Sequence, residues 1–502
     1  MRVKLVVPIV ATSLVAVSGL AACSSENDGT ASSIQSPALV RPAAPTDRNA
    51  IVVVVDDATD MTCSSLQRFM PKTARVLRNQ GTCYENATVT SPACAPSRAT
   101  LMTSQLPHNN RVVTQVDAAR LQPSETVQAD LTRAGYDTYG TGKFFNGVSP
   151  WLVESGERSS GFGSSDFWAG SEYYTYKLWN DETQRPQRPR DRVHATTRTG
   201  LFLRSFVEQQ ADSGRPFYAY AAFKAPHTDN SATNAKDRLP LSTPANARRA
   251  VPPFRFDPEL DRRDKLATFQ GKIGSRRYFQ RLYTARTRAL YDVDDEMGKT
   301  FDVLRREGIL DKTAIIFTSD NGYHLGENGW ETKGDPYPAS IDTPLLAYLP
   351  GTFAAGRTEQ KPVGVIDIAP TLYQLLGVKP GHRLDGRSLL SKQRRGSTFH
   401  QMVNEKKRTP SIRPRGGFFP ARVPSWAMWR NGDRSYVEYY RHNGTLLRAE
   451  FYRDAAMKRN LLWPGYRSER PSRKVIGQFR YKLRQAKRCS GTREQGSGNP
   501  CP

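Results

Sequence analysis

The segment Ser91-Pro-Ala-Cys94-Ala-Pro96-Ser97-Arg98-Ala-Thr-Leu-Met-Thr103 puts a cysteine at the head of a helix-like run. A reactive group there sits near unpaired backbone N–H groups and the positive end of the helix dipole, which favour a bound anion. Arg98 follows one turn on, where its planar fork can hold an oxyanion. Cysteines stand at 23, 63, 83, 94, 489 and 501. Cys63 with Cys83 and Cys489 with Cys501 are the short-range pairings; the sequence leaves that connectivity open, and an unpaired Cys94 would suit a chemical role. Three further polar clusters each follow an apolar run: Asp56-Asp57, Ala225-Pro226-His227 and Asp320-Asn321-Gly322.

The runs before those clusters read as strands. Ile51-Val-Val-Val-Val55, Arg215 to Phe223 and Thr313 to Thr318 are β-branched or apolar throughout, as in strands buried on both faces of a parallel sheet. Between them, Ser65 to Gln80, Val127 to Ala134, Thr197 to Gln210 and Arg281 to Glu307 read as helices. Alternating strands and helices predict an α/β domain with a large, mainly parallel sheet. Ligands gather beyond the carboxyl ends of such strands, where all three clusters fall. Asp367 to Leu376 reads as a capped amphipathic helix closing this domain. Beyond about residue 390 the texture changes. Ser425 to Tyr440 and Thr445 to Tyr452 read as strands of a small antiparallel sheet, with Asn443-Gly444 as a turn.

Cys94-x-Pro-Ser-Arg followed by Ala-Thr-Leu-Met-Thr resembles the signature of the type I, formylglycine-dependent sulfatases. The resemblance extends over roughly Asn49 to Leu462 and implies an alkaline-phosphatase-like sandwich with a smaller C-terminal antiparallel sheet. It implies that a maturation enzyme oxidises Cys94 to formylglycine (3-oxoalanine), whose hydrate attacks the sulfur of a sulfate monoester. Asp56, Asp57, Asp320 and Asn321 match the family's metal pairs, with modified Cys94 completing the shell. Four oxygen ligands without imidazole suit a hard cation, Ca2+ first and Mg2+ second.

Lys143, in Gly142-Lys143-Phe144-Phe145-Asn146, matches a sulfate contact of the family, and Lys333 matches a contact to sulfate and leaving group. His227 matches a family histidine that protonates the leaving alcohol or steadies a sulfate oxygen, either of which an imidazole can do near neutral pH. His324 reads as architectural. Many family members carry a histidine two residues after the lysine, where this chain has Phe145. Its Lys-Phe-Phe-Asn is closest in style to the Lys-Tyr-Leu-Asn of the N-acetylglucosamine-6-sulfatase and heparan-6-sulfatase branch, which gives Asn146 the polar place. An amide is no general base, so the group that deprotonates the diol is unassigned. The branch points to a sulfated glycan as substrate. The same superfamily contains phosphodiesterases and phosphonate monoester hydrolases, the nearest rival activity.

Arg2 and Lys4, the apolar run Leu5 to Val17 and Leu20-Ala-Ala-Cys23 read as an export signal. Its ending resembles the bacterial lipobox, which predicts a signal peptide over 1–22 and a lipid on Cys23 holding the protein to the extracytoplasmic face of the membrane. Residues 23–47 read as a flexible tether, 48–390 as the catalytic domain and 391–502 as a C-terminal subdomain with a basic tail. Lys and Arg number 73 against 48 Asp and Glu, a net charge of +25. That excess favours anionic partners without choosing among them. A non-catalytic polyanion-binding protein is a second rival; nucleic acid is not expected, because no recognisable module is present.

Overall fold

The computed structural model describes residues 46–58, 61–145, 160–170, 172–179, 187–189, 191–229, 231, 238–256, 263–266, 268, 274–393, 395–404 and 423–502. Residues 42–502 form one compact unit. The expected signal peptide, nearly all of the expected tether, and Asn146 lie outside the described residues.

A nine-stranded sheet forms the centre. Its strands are β1 (Asn49–Val55), β2 (Thr82–Tyr84), β3 (Asp137–Lys143), β4 (Ser164–Ala169), β5 (Lys177–Trp179), β6 (Phe217–Ala222), β7 (Thr313–Ser319), β8 (Leu345–Tyr348) and β9 (Arg357–Glu359). Their order is β9-β2-β8-β7-β1-β6-β3-β4-β5. β1 lies at the middle, parallel to β6 on one side and β7 on the other. Only β5 and β8 run against their neighbours. The sheet is thus mainly parallel, as expected from the continuous apolar strands.

Burial on both faces explains those runs. Ala50, Val52 and Val54 point into one core together with Ala95, Ala99 and Met102 of helix α1 (Cys94–Thr103) and Ile368, Leu372 and Leu376 of helix α4 (Ile368–Leu376). Ile51, Val53 and Val55 point into a second core with Leu203 and Val207 of helix α2 (Ala195–Ser213) and Leu290, Val293 and Met297 of helix α3 (Arg276–Arg306). Every residue of β1 is buried because helices cover both sides.

A second sheet of four antiparallel strands, β10 (Thr398–Met402), β11 (Ser425–Asn431), β12 (Arg434–Tyr440) and β13 (Leu446–Tyr452), packs beside helix α5 (Arg473–Ala486). β10 had no signal of its own, being a short strand between polar stretches.

Two local expectations need correction. Ser65–Gln80 is not one helix. Pro71 cannot donate to the preceding turn, so the chain breaks at Met70 and restarts as Pro71–Thr73 followed by a π turn at Ala74–Arg78. Asp294 of α3 accepts the backbone N–H groups of Lys72 and Thr73 at 3.0 and 2.7 Å, capping the restart from outside. Asp367 precedes α4 but its carboxylate does not cap it. It accepts instead from the backbone of Gly364 and Arg387 and from both ends of the Arg395 fork. A bidentate charged donor outcompetes a neutral N–H.

Candidate active site

The carboxyl ends of β1, β6, β7 and β3 converge, and each delivers part of one buried cluster. The three central strands are tied there by backbone bonds: Asp56 N–H donates to the Ala225 carbonyl and Asp320 N–H to that of Val55. Asp57 follows with φ of +66°, a left-handed conformation that aspartate tolerates better than most residues. Its N–H donates to Asp320 Oδ1 at 3.1 Å, so the ends of β1 and β7 face each other. On β3, Gly142 has φ of +91°, and a Cβ there would fall on the Ala222 carbonyl oxygen. Glycine therefore lets β3 close on β6 immediately before Lys143.

Cys94 is the first residue of α1 and, among the described residues, the free cysteine; Cys63–Cys83 and Cys489–Cys501 are disulfides. Its thiol is buried and lies 3.6 Å from Asp56 Oδ1. Two ammonium groups reach it: Lys143 Nζ at 3.4 Å and Lys333 Nζ at 3.0 Å. Lys143 also pairs with Asp56, and Lys333 with Asp57 and with Asn321 Oδ1 at 3.1 Å. Asn321 Nδ2 donates to Asp57 Oδ1 at 2.6 Å. Arg98, fully buried, binds Asp320 Oδ2 through Nε at 3.0 Å and its second fork nitrogen at 2.9 Å. It also donates to the Lys143 carbonyl and the Tyr220 hydroxyl. The side chains predicted from strand ends and motif thus meet in one place, Asn146 excepted.

Lys333 is held by a tightly built turn. Thr332 and Gly334 on either side have φ of +75° and +101°. Gly334 N–H donates to Ser340 Oγ at 2.9 Å, and its carbonyl accepts Trp426 Nε1 of β11 at 2.9 Å. Asp335 Oδ1 accepts from His324 Nε2 and from Tyr337 N–H, each at 3.0 Å. His324 serves there as a strut; the Asp335 carboxylate overcomes its burial and raises its pKa.

Charge in the cluster is balanced between three carboxylates and the cations Arg98, Lys143 and Lys333. Burial disfavours the Asp56 carboxylate, but Lys143 and the other cations outweigh it and hold its pKa well below the usual range. Asp320 goes the other way: burial and the neighbouring Asp56 charge raise it. Burial pushes the Cys94 thiol up to about 12, with Asp320 adding to the effect. His227 lies with Nε2 3.9 Å from Asp57 Oδ2. Its Nδ1 is 2.8 Å from the Thr228 carbonyl, which can only accept, so Nδ1 carries the proton and Nε2 offers the lone pair. Burial holds its pKa well below the usual imidazole value.

The donor set fits a cation. Asp56, Asp57, Cys94 and Asp320 each offer an atom within 4.8 Å of the others. The Lys333 ammonium already bridges Asp57 and Asn321, as a cation would.

Two buried groups were missed by reading the sequence. Lys224 donates to the Thr228 carbonyl at 2.8 Å over the Tyr173 ring, and burial lowers its pKa to about 8. It stands in the strand-end cluster, so position was its signal. Arg286, from the middle of α3, donates to the backbone carbonyls of Asp57 and Pro226, the latter at 3.1 Å. A lone arginine on a helix gives no local sign of that role.

The α/β sandwich thus brings a buried cysteine, paired lysines and an oxygen-rich acidic cluster together at the sheet's carboxyl edge. The chain belongs to the sulfatase family, whose model matches residues 48–378. It is 29% identical over 362 residues to the extracellular sulfatase SULF-1 homolog of Drosophila melanogaster, covering 68% of this chain and 31% of that one. It is 27% identical over 370 residues to human N-acetylglucosamine-6-sulfatase, covering 69% and 65%. The chain thus spans about a third to two thirds of those relatives' lengths. Among solved structures, BT4656 in complex with its substrate D-glucosamine-2-N,6-O-disulfate superposes with a TM-score of 0.66 at 20% identity, covering 88% of this chain and 97% of that one. This likeness agrees with the alkaline-phosphatase-like architecture expected from the sequence.

Proposed function

We propose that this protein hydrolyses sulfate monoesters, with Cys94 as the precursor of its nucleophile. The observation that carries the reading is the thiol of Cys94 at the head of α1, held between the Lys143 and Lys333 ammonium groups and beside the Asp56 carboxylate. Conversion of Cys94 to formylglycine by a maturation enzyme would supply the hydroxyl that attacks sulfur. Asp56, Asp57, Asp320 and Asn321 would hold Ca2+, with Mg2+ second, and the ion would supply electrophilic polarisation of nucleophile and sulfate. Ion and side chains together give the site two positive charges in excess, which favours an anionic ester.

The chain's own residues have defined tasks in this reading. Lys143 and Lys333 steady sulfate oxygens and Lys333 also reaches the leaving oxygen; Arg98 orients Asp320 and contributes positive charge. His227 holds its proton on Nδ1 against Thr228, so its Nε2 can only accept, and Lys333 is the group that supplies a proton to the leaving oxygen. Phe145 is buried against Phe144, so no base stands at that position, and Asn146 takes the polar place by resemblance. A sulfated glycan, possessing a 6-sulfated amino sugar, is the proposed substrate; the names of the human relative and of the BT4656 ligand support it. We assign 1–22 to a signal peptide, 23–47 to a tether with lipid on Cys23, 48–390 to the catalytic domain and 391–502 to the C-terminal subdomain. The extracellular relatives support export. Among the described residues no helix is long and apolar enough to cross a membrane.

The test is peptide mass spectrometry on protein made in its own host, or beside the maturation enzyme, joined to turnover of an aryl sulfate and the matching aryl phosphate. The tryptic peptide Asn79–Arg98 should carry an aldehyde at position 94, and sulfate should be the better substrate. Chelation should abolish turnover and added Ca2+ restore it. Cys94→Ser should stall after sulfate transfer; sustained turnover by that variant would sink the scheme.

A further inference from the structure

An open groove of about 1040 Å³ lies between α5 and the turn joining β11 to β12, and none of the catalytic cluster lines it. Arg387, Arg434, Lys482 and Arg493 line it, and among the described residues Asp433 is the one acidic side chain on its wall. Among the described residues none of those four side chains makes a hydrogen bond or an ion pair, although acidic partners are used freely elsewhere on the surface. Arg387 is half-buried; burial and the like charges of Arg395 and Arg493 lower its pKa, and Asp367 and Glu494 offset this only in part. Cations crowded in excess of their counter-charges repel one another, and an added anion relieves that cost. The amides of Gln478, Gln485 and Asn499 line the same wall, and Tyr481, more than half exposed, stands with them. Amides bond sugar hydroxyls and an aromatic ring stacks on sugar faces, whereas a lipid surface asks for a convex apolar face.

We propose that this groove is an accessory site for a sulfated polysaccharide, which it grips while another part of the same polymer reaches Cys94. The inference rests on the sulfatase reading for its choice of polyanion. Geometry links the two sites through β11. Trp426 bonds the turn that carries Lys333, and Asn431 lines the groove at the far end of the strand. At ~3.3 Å per strand residue the two ends lie about 17 Å apart. A monosaccharide sulfate cannot fill both places, and a longer chain can.

The experiment measures binding of a heparin dodecasaccharide, its desulfated counterpart and phosphatidylglycerol vesicles to the whole protein by titration calorimetry at several salt concentrations. The variant is R434E/K482E, two exposed residues outside the catalytic cluster. The sulfated oligosaccharide should bind with an affinity that falls as salt rises, and the variant should weaken it about tenfold or more and flatten the salt dependence. For a sulfated polymer KM should rise with kcat unchanged, while kcat/KM for an aryl sulfate stays the same. Equal affinity in the variant, or equal binding of the desulfated chain, overturns the proposal. So does vesicle binding that the variant loses while oligosaccharide binding persists. Oligosaccharide binding lost in the variant, in a protein that turns over no aryl sulfate, upholds the groove and refutes the sulfatase reading instead.

Discussion

Replacing Trp426 by phenylalanine isolates the link between the C-terminal sheet and the cluster. The indole is about 1% exposed and its Nε1 donates to the Gly334 carbonyl at 2.9 Å. Phenylalanine keeps most of the apolar packing but leaves that carbonyl without its donor in a dry place. An orphaned buried acceptor costs about 1–3 kcal/mol. The turn has two ways to respond. It can hold its geometry, and unfolding free energy then drops by that amount. Alternatively it can move the carbonyl toward water and take Lys333 with it; because about 1.4 kcal/mol is tenfold in rate, kcat/KM then falls roughly tenfold to a hundredfold. Urea unfolding and aryl sulfate turnover, measured on the same preparation, read both responses. Loss of stability below about 0.5 kcal/mol together with kcat/KM within twofold of the parent would refute the claim that β11 positions Lys333.

His400 is buried with Nδ1 donating to the Val89 carbonyl at 2.7 Å, and burial lowers its pKa to about 3. The unfolded chain, with an imidazole near ~6.5, binds that proton more readily, so stability is complete above about 6.5 and declines at up to ~1.4 kcal/mol per pH unit as pH falls toward 3. H400Q should flatten that acid slope in pH-dependent urea unfolding; parallel curves would contradict it. Gly142→Ala should destabilise by at least about 2 kcal/mol and Gly214→Ala by only ~1, because both have positive φ but Gly214 has open space around it. Equal thermal shifts for the two would count against close approach of β3 and β6. Removing the Cys63–Cys83 disulfide, which spans 20 residues, as the double serine variant should cost ~3 kcal/mol in denaturant unfolding.

The location of the site was readable because its residues sit at strand ends, where an apolar run stopping at Asp56, Asp320 or the Pro226-His227 pair marks both the strand and its terminus. The fold class followed from the same runs, since a strand covered on two faces has no polar alternation. What escaped lacked local expression. Arg286 acts on two loops far from it in sequence, and nothing in the composition of α3 singles it out. Trp426 and Glu450 of the C-terminal sheet are addressed to Gly334 and Tyr337 only after the two sheets meet. Pro71 interrupts the first helix even though helix-like residues continue on both sides of it.

Burial of Cys94 also sets a clock. The thiol is about 2% exposed, and the ammonium that closes over it belongs to Lys333, 239 residues further along the chain. At ribosomal speeds of ~5–20 residues per second, Cys94 emerges about 12–48 s before Lys333 exists. For nearly all of that interval neither Lys333 nor Asp320 is there to close the site around the sulfur. Any catalyst that must touch it has its opportunity on the nascent or unfolded chain, and folding ends it. Slowing elongation between residues 94 and 333 would lengthen the opportunity; rapid completion would shorten it. The yield of modified protein would then depend on the rate of synthesis and on the supply of the modifying catalyst, at unchanged stability of the finished fold.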